Sequence, residues 1–180
     1  MYCCKHCLQI KGKLKDIGER KIGVVALTYN TPVTLLNSML SWDEMGLLDV
    51  SSERLLIANA GIPIEKALGK DFNFKVLEPR QIPDVKMNPS RDNVVTIGSA
   101  FYYALEEMKD SEYVIFLEKD FMADTTLTKE EFHKELLGAI VMLEQGAWIV
   151  RLRSRNQQGC DSFKSCGKAA NWASTKPIER

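Results

Sequence analysis

Apolar residues fall in short runs separated by polar or proline-bearing segments. The first run, residues 21–30 (Lys-Ile-Gly-Val-Val-Ala-Leu-Thr-Tyr-Asn), is continuously apolar through its centre. Continuous rather than alternating apolarity predicts a strand buried on both faces, as in a parallel sheet covered by helices. Thr31 and Pro32 then predict a helix start, with Thr31 capping exposed amides, Pro32 at the first helical position, and Leu35, Leu36, Met39 and Leu40 at helical spacing. Gly46 ends or bends that helix. Two more short buried strands are expected, at residues 54–58, leading into Asn59-Ala60-Gly61, and at residues 72–77, leading into Glu78-Pro79. Residues 81–92 carry Pro83 and Pro89 and read as loop.

A helix follows whose predicted core face is Ile97, Phe101, Ala104, Leu105 and Met108, and then a strand at residues 112–117. Thr128-Lys129-Glu130-Glu131 is a capping-box pattern opening another helix, continued by Phe132, Leu136, Ile140 and Leu143 and closed near Gly146. Residues 147–152 read as a further strand. Strands alternating with helices predict an α/β fold, a three-layer α/β/α sandwich around a mostly parallel sheet. Residues 1–20 are expected to form a flexible arm, 21–155 the domain, and 156–180 a tail or an incomplete segment of a further half.

The chain has 180 residues, 45% of them hydrophobic and 27% charged, which suits one globular domain with a real core. Lysine plus arginine and aspartate plus glutamate each total 24, so no broad basic face is available to recruit nucleic acid or an anionic membrane. No apolar run approaches the ~18–20 residues that span a bilayer, and the N-terminus has no secretory-signal pattern. Cys3, Cys4 and Cys7 crowd around His6. Such ligands need a second pair to enclose zinc, and a frayed terminus in a reducing compartment is the plainer reading. Cys160 and Cys166 are compatible with a small disulfide loop or with free thiols. His133, beside core-facing Phe132, is expected at the surface. No nucleophile elbow and no phosphate loop of the Gly-Lys-Ser/Thr kind is present.

In open α/β sheets ligands bind beyond the carboxyl ends of the strands. Those ends carry Thr28-Tyr29-Asn30, Asn59-Ala60-Gly61, Glu78 and Glu118-Lys119-Asp120. If the last group is extended, Glu118 and Asp120 project to one side and form a hard-oxygen site suited to Mg²⁺ or Mn²⁺ with phosphate oxygens; a solvated turn is the plainer reading. Arg151, Arg153 and Arg155 alternate and could meet an anionic ligand, although alternating arginines more often guard a sheet edge.

Three segments in order, residues 24–30, 54–61 and 93–121, make residues 21–155 resemble the nucleotide-sugar-binding half of a GT-A glycosyltransferase, most similar to family 2-like enzymes. The resemblance implies that Thr28, Tyr29 and Asn30 line the nucleoside pocket, that Asp92 or Asn93 lies near it, and that Asp120 binds the metal on the diphosphate. Glu118 then holds the first acidic position of a DXD-like motif, where relatives have Asp, and Asn59 stands where many have an Asp that contacts base or ribose. Residues 116–121 followed by 150–155 also resemble a eukaryotic glycosyltransferase-like subgroup.

The activity implied is transfer of a sugar from a nucleoside diphosphate to an acceptor hydroxyl of a glycan, lipid or protein, with Mn²⁺ or Mg²⁺ stabilising the leaving diphosphate. It also implies work at Golgi, ER or other membranes, for which this sequence shows neither signal nor anchor. The 25 residues after Arg155 are too few for the acceptor half, in which relatives place the catalytic base; Asp161 is the one acid between Arg155 and Pro177. The rival expectation is a truncated, noncatalytic GT-A-like binding or interaction module.

Overall fold

The computed structural model describes residues 17–78, 95–123, 125–150 and 152. The candidates Cys3, Cys4, His6, Cys7, Asp92, Asn93, Arg151, Arg153, Arg155, Cys160, Asp161 and Cys166 lie outside the described residues. Among the described residues four strands form one parallel sheet: β1 (Ile22–Thr28), β2 (Ser51–Ala58), β3 (Lys75–Leu77) and β4 (Tyr113–Glu118), in the order β3-β2-β1-β4. The helices are α1 (Pro32–Glu44), α2 (Leu47–Val50), α3 (Pro63–Asp71), α4 (Ile97–Glu107) and α5 (Lys129–Glu144).

Every residue of β1 is buried, and its side chains divide between two cores by the period of two. Ile22, Val24 and Ala26 join Leu35, Met39 and Trp42 of α1 and Leu136 and Ile140 of α5 on one face. Val25 and Leu27 join Ala100 and Ala104 of α4 and Met108 on the other. The result is the expected three-layer α/β/α sandwich. The continuous apolarity of the first run has its cause in this two-sided burial.

Several local expectations are corrected. The packed domain reaches back before residue 21: Ile17–Glu19 form a short 3-10 helix, and Ile17 is buried in the first core. Next to it, Arg20 pairs with Glu144 at 2.6 Å, so both belong to the same packed unit. Toward the sheet α4 buries Ala100 and Ala104, with Met108 just past its end, and Phe101 packs on Phe116 of β4 with ring centroids 4.5 Å apart, whereas Ile97 and Leu105 are half exposed. Small alanines let the helix lie close to the strands. Residues 147–150 and 152 form no strand; Trp148 and Ile149 are 66% and 74% exposed, and among the described residues no neighbouring strand pairs with them. A strand without a partner leaves its backbone groups to water and has no reason to form.

Helix α3 is not predicted by the apolar pattern, because its apolar positions are few. Gly69 explains how it packs: a Cβ there would come within 2.6 Å of Leu56 and 2.7 Å of Val76, so the missing side chain is what allows α3 to rest on β2 and β3. Across the other face, Lys75 of β3 is ion-paired with Glu107 of α4, and the Tyr103 hydroxyl donates to the same carboxylate at 2.8 Å. The Lys75 hydrogen bond, then that from Tyr103, holds the Glu107 carboxyl below its ordinary range.

Gly69→Ala is expected to lower unfolding free energy by about 1–3 kcal/mol through overpacking, read by urea denaturation. A lowered folded-state value means that the contribution of Glu107 is complete above the ordinary carboxylate range and is lost as pH falls through that range and below it. Lys75→Met should flatten this acid-side loss. For so exposed a pair the difference at neutral pH should stay within about 1 kcal/mol, and an unaltered acid limb of the stability–pH curve would refute the assignment.

Candidate functional site

Strand order determines where a site can be. From β1 the chain steps outward to β2 and β3, then returns to the other side of β1 for β4. The reversal therefore falls between β1 and β4, and in open parallel sheets the crevice beyond such a point is where ligands sit. Leu27 pairs with Glu118, and the Lys119 amide donates to the Leu27 carbonyl at 3.0 Å. The two strands thus deliver Thr28-Tyr29-Asn30 and Glu118-Lys119-Asp120 side by side.

The β1 exit turns sharply. Asn30 has a left-handed φ of 48°, a conformation that asparagine tolerates better than most residues. Tyr29 and Asn30 are exposed, whereas Thr28 is buried and its hydroxyl donates to Glu65 Oε1 at 2.7 Å. Of the triplet, Tyr29 and Asn30 are open to solvent beyond the strand end and Thr28 is buried beneath them. The Thr31 hydroxyl makes no capping bond to α1; instead the Thr31 amide donates to Glu65 Oε1 at 2.8 Å. A carboxylate from α3 thus lies at the start of α1, where the helix dipole favours negative charge. Glu65 is fully buried, and no sequence signal singled it out, since it occupies the first turn of the helix that periodicity missed.

At the β2 exit, Asn59 is 8% exposed and both ends of its amide are engaged: Oδ1 accepts from the Val95 amide at 2.7 Å and Nδ2 donates to the Val95 carbonyl at 2.9 Å. This pairing imitates a strand bridge and fastens the start of the α4 segment to β2. These two bonds fix the orientation of the Asn59 side chain at the strand exit. Beyond it Gly61, at φ 64°, leaves room for the Glu78 carboxylate, whose Oε2 would lie 3.2 Å from a Cβ there, and Glu78 pairs with Lys66 at 2.8 Å.

At the β4 exit the strand ends at Glu118. The Phe121 amide donates to the Glu118 carbonyl at 2.9 Å, so Lys119 and Asp120 form the corner of a turn and the alternation expected of an extended segment stops one residue early. Glu118 is half-buried and Asp120 exposed. Helix α1 holds this turn by its backbone: the Ser38 hydroxyl donates to the Lys119 carbonyl at 2.7 Å, Trp42 Nε1 to the Phe121 carbonyl at 2.6 Å, and the Ala123 amide to Ser41 Oγ at 3.0 Å. Buried serines in a helix read as polar interruptions in sequence; here they are the attachment points of the acidic turn.

Among the described residues no three His, Cys, Asp or Glu side chains gather to enclose a metal. The acidic turn carries two carboxylates, half-buried Glu118 and exposed Asp120, on a backbone that α1 holds. That donor set fits Mg²⁺ or Mn²⁺, which binds through one or two carboxylates and completes its shell with water and phosphate oxygens. A cavity of about 380 Å³ lies at the opposite, amino-terminal ends of β2 and β3, lined by residues that include Arg54, Lys75 and Glu107. Its cations are already satisfied: Arg54 donates to the Leu48 and Phe72 carbonyls and to Ser51 Oγ, and Lys75 pairs with Glu107. His133 is part-buried, with Nε2 3.1 Å from the Gly46 carbonyl just past the end of α1.

No protein-family model matches the sequence, and neither does any curated protein. Solved structures match in fold. Glucosyl-3-phosphoglycerate synthase from Mycobacterium tuberculosis, in complex with phosphoglyceric acid, aligns with a TM-score of 0.53 at 18% identity, over 73% of this chain and 44% of that one. The complex of that synthase with Mn²⁺ and uridine-diphosphate-glucose aligns with a TM-score of 0.51 at 19% identity, over 74% of this chain and 46% of the other. The chain therefore has a GT-A-like α/β fold, and it spans less than half the length of these neighbours. Among the described residues no helix is long and apolar enough to cross a membrane.

Trp42→Phe keeps the ring and deletes the indole donor, and is expected to cost about 1 kcal/mol of stability. Amide exchange should accelerate at Phe121 and Ala123 more than in β1; uniform acceleration across the sheet would show that the indole does not hold the turn.

Proposed function

We propose that this domain binds a nucleoside-diphosphate sugar in the crevice between the β1 and β4 exits, and that it is the donor-binding part of a family 2-like glycosyltransferase. The observation that carries the reading is the reversal of strand order between β1 and β4, which sets exposed Tyr29 and Asn30 beside the Glu118–Asp120 turn. The fold shared with a synthase solved with Mn²⁺ and uridine-diphosphate-glucose supports it.

In this reading Tyr29 and Asn30 contact the nucleoside, with Thr28 and Asn59 fixing the backbone around them. Asp92 and Asn93, placed near the nucleoside by resemblance, keep that role as part of the proposal. Glu118 and Asp120 hold Mn²⁺ or Mg²⁺, which when bound offsets the negative charge that grows on the departing diphosphate. The turn is fixed in advance by Ser38, Ser41 and Trp42, so the carboxylates need little rearrangement to receive a charged ligand. The acceptor is a hydroxyl of a glycan, lipid or protein.

The test is thermal unfolding of the whole chain with UDP, GDP, ADP and CDP and their common sugar conjugates, each with Mn²⁺ and with EDTA. At a hundred times its dissociation constant a ligand specific for the folded state adds about 2.7 kcal/mol. One nucleotide should raise the midpoint only when Mn²⁺ is present, and Asp120→Ala, at an exposed position, should remove that rise while leaving the unliganded midpoint nearly unchanged. A folded protein that none of these ligands stabilises would overturn the reading and favour a noncatalytic interaction module.

A further inference from the structure

The turn between β1 and α1 is held from outside itself. The Thr28 carbonyl accepts from the Asn59 amide at 3.0 Å, and the Thr31 amide donates to Glu65, so neither group is left to close the turn across its own ends. What joins the ends is one oxygen: Glu65 Oε1 accepts both the Thr28 hydroxyl, at 2.7 Å, and the Thr31 amide, at 2.8 Å. Between those two anchors stand only Tyr29 and Asn30, the second with its left-handed φ of 48°. Among the described residues the other oxygen, Oε2, is buried without a hydrogen-bond partner in a side chain that is 0% exposed, and the Thr31 hydroxyl beside the turn is likewise buried and unpartnered. Buried polar atoms are normally paired, so a carboxylate kept half-satisfied in the interior points to a role for the half that is engaged.

We propose that Glu65 is the positioning residue of the nucleoside subsite: its buried carboxylate, reaching in from α3, sets the shape of the turn that presents Tyr29 and Asn30. This rests on the nucleotide-sugar reading for the identity of the ligand, though not for the hold on the turn. A carboxyl is suited to the task because one of its oxygens has two lone pairs and can accept two hydrogen bonds at once. One such oxygen shared by both ends fixes their separation. Glu65 touches no reacting group; it acts through the two residues it encloses.

Two substitutions separate positioning from mere stability. Glu65→Gln keeps an acceptor oxygen in place of Oε1 and puts an amide where Oε2 was. Glu65→Leu keeps bulk in a buried position and removes both acceptors. Mn²⁺-dependent affinity for whichever of UDP, GDP, ADP or CDP the wild-type chain binds would be measured by calorimetry, with amide exchange at Tyr29, Asn30 and Thr31 read by NMR and the β1 amides as internal reference. Expected for Glu65→Leu is an affinity loss of at least tenfold and at least tenfold faster exchange at those three amides, with β1 still protected; Glu65→Gln should stay within threefold of wild type on both.

A folded Glu65→Leu with unchanged affinity and unchanged turn exchange would overturn the proposal, and so would equal losses in the two variants. If the wild-type chain binds none of the four nucleotides, the donor reading fails by itself, and the exchange data alone decide whether Glu65 holds the turn. Should Glu65→Leu not fold, Thr28→Val removes one of the two bonds at nearly constant volume. Faster exchange at Tyr29 to Thr31 in that variant supports the proposal, and unchanged exchange overturns it.

Discussion

The constraint on which everything else depends is the position of β1, paired on both edges and buried on both faces. A strand so placed has no polar side to turn toward water, which accounts for its unbroken apolar sequence. Its neighbours must be parallel because the chain crosses over through helices between them, and those helices must cover both faces. Because β1 is central, its carboxyl end is where the strand order reverses, and the crevice follows from the topology before any particular side chain is considered.

The groups around that crevice are arranged by an economy of side chain to backbone hydrogen bonds. Asn59 grips Val95, α1 grips the turn after β4 through two serines and a tryptophan, and Glu65 grips both ends of the turn after β1. Each connects segments distant in sequence. The exposed residues proposed to meet ligand, Tyr29, Asn30 and Asp120, make few of these bonds themselves; their placement is imposed by residues behind them. Binding and support are divided between different side chains, so the supporting ones are buried and polar at once.

This division explains what was legible in the sequence. The strands and the helix opened by Thr128 were readable because each signal is local: a run of apolar residues, or a capping box whose two bonds both form here. The strand exits were readable from the same runs. Thr31 looked like a cap by type, and only the tertiary approach of Glu65 reassigns its amide. Helix α3 was hidden because its buried positions include Glu65 and Gly69, neither of them apolar in the sense that periodicity detects. On the α4 segment Phe101, Ala104 and Met108 do turn to the sheet, whereas Ile97 and Leu105 were misjudged because size was read as burial. The apolar residues 147–150 have no partner strand among the described residues, a fact about neighbours that no single segment can encode.

The central position of β1 also shapes how the chain is made. Ile22 pairs with Ser51 on one side and with Tyr113 on the other, so the second partner is synthesised about ninety residues after the first half of the pair. At ribosomal rates of about 5–20 residues per second, that is an interval of roughly 5–20 s during which a fully apolar strand has one edge open. Nascent β1, β2 and α1 can collapse together early, but the crevice has only one wall until β4 emerges. A chaperone that shields short apolar strands would find its substrate in that interval, and the proposed ligand site is completed only when β4 closes that edge.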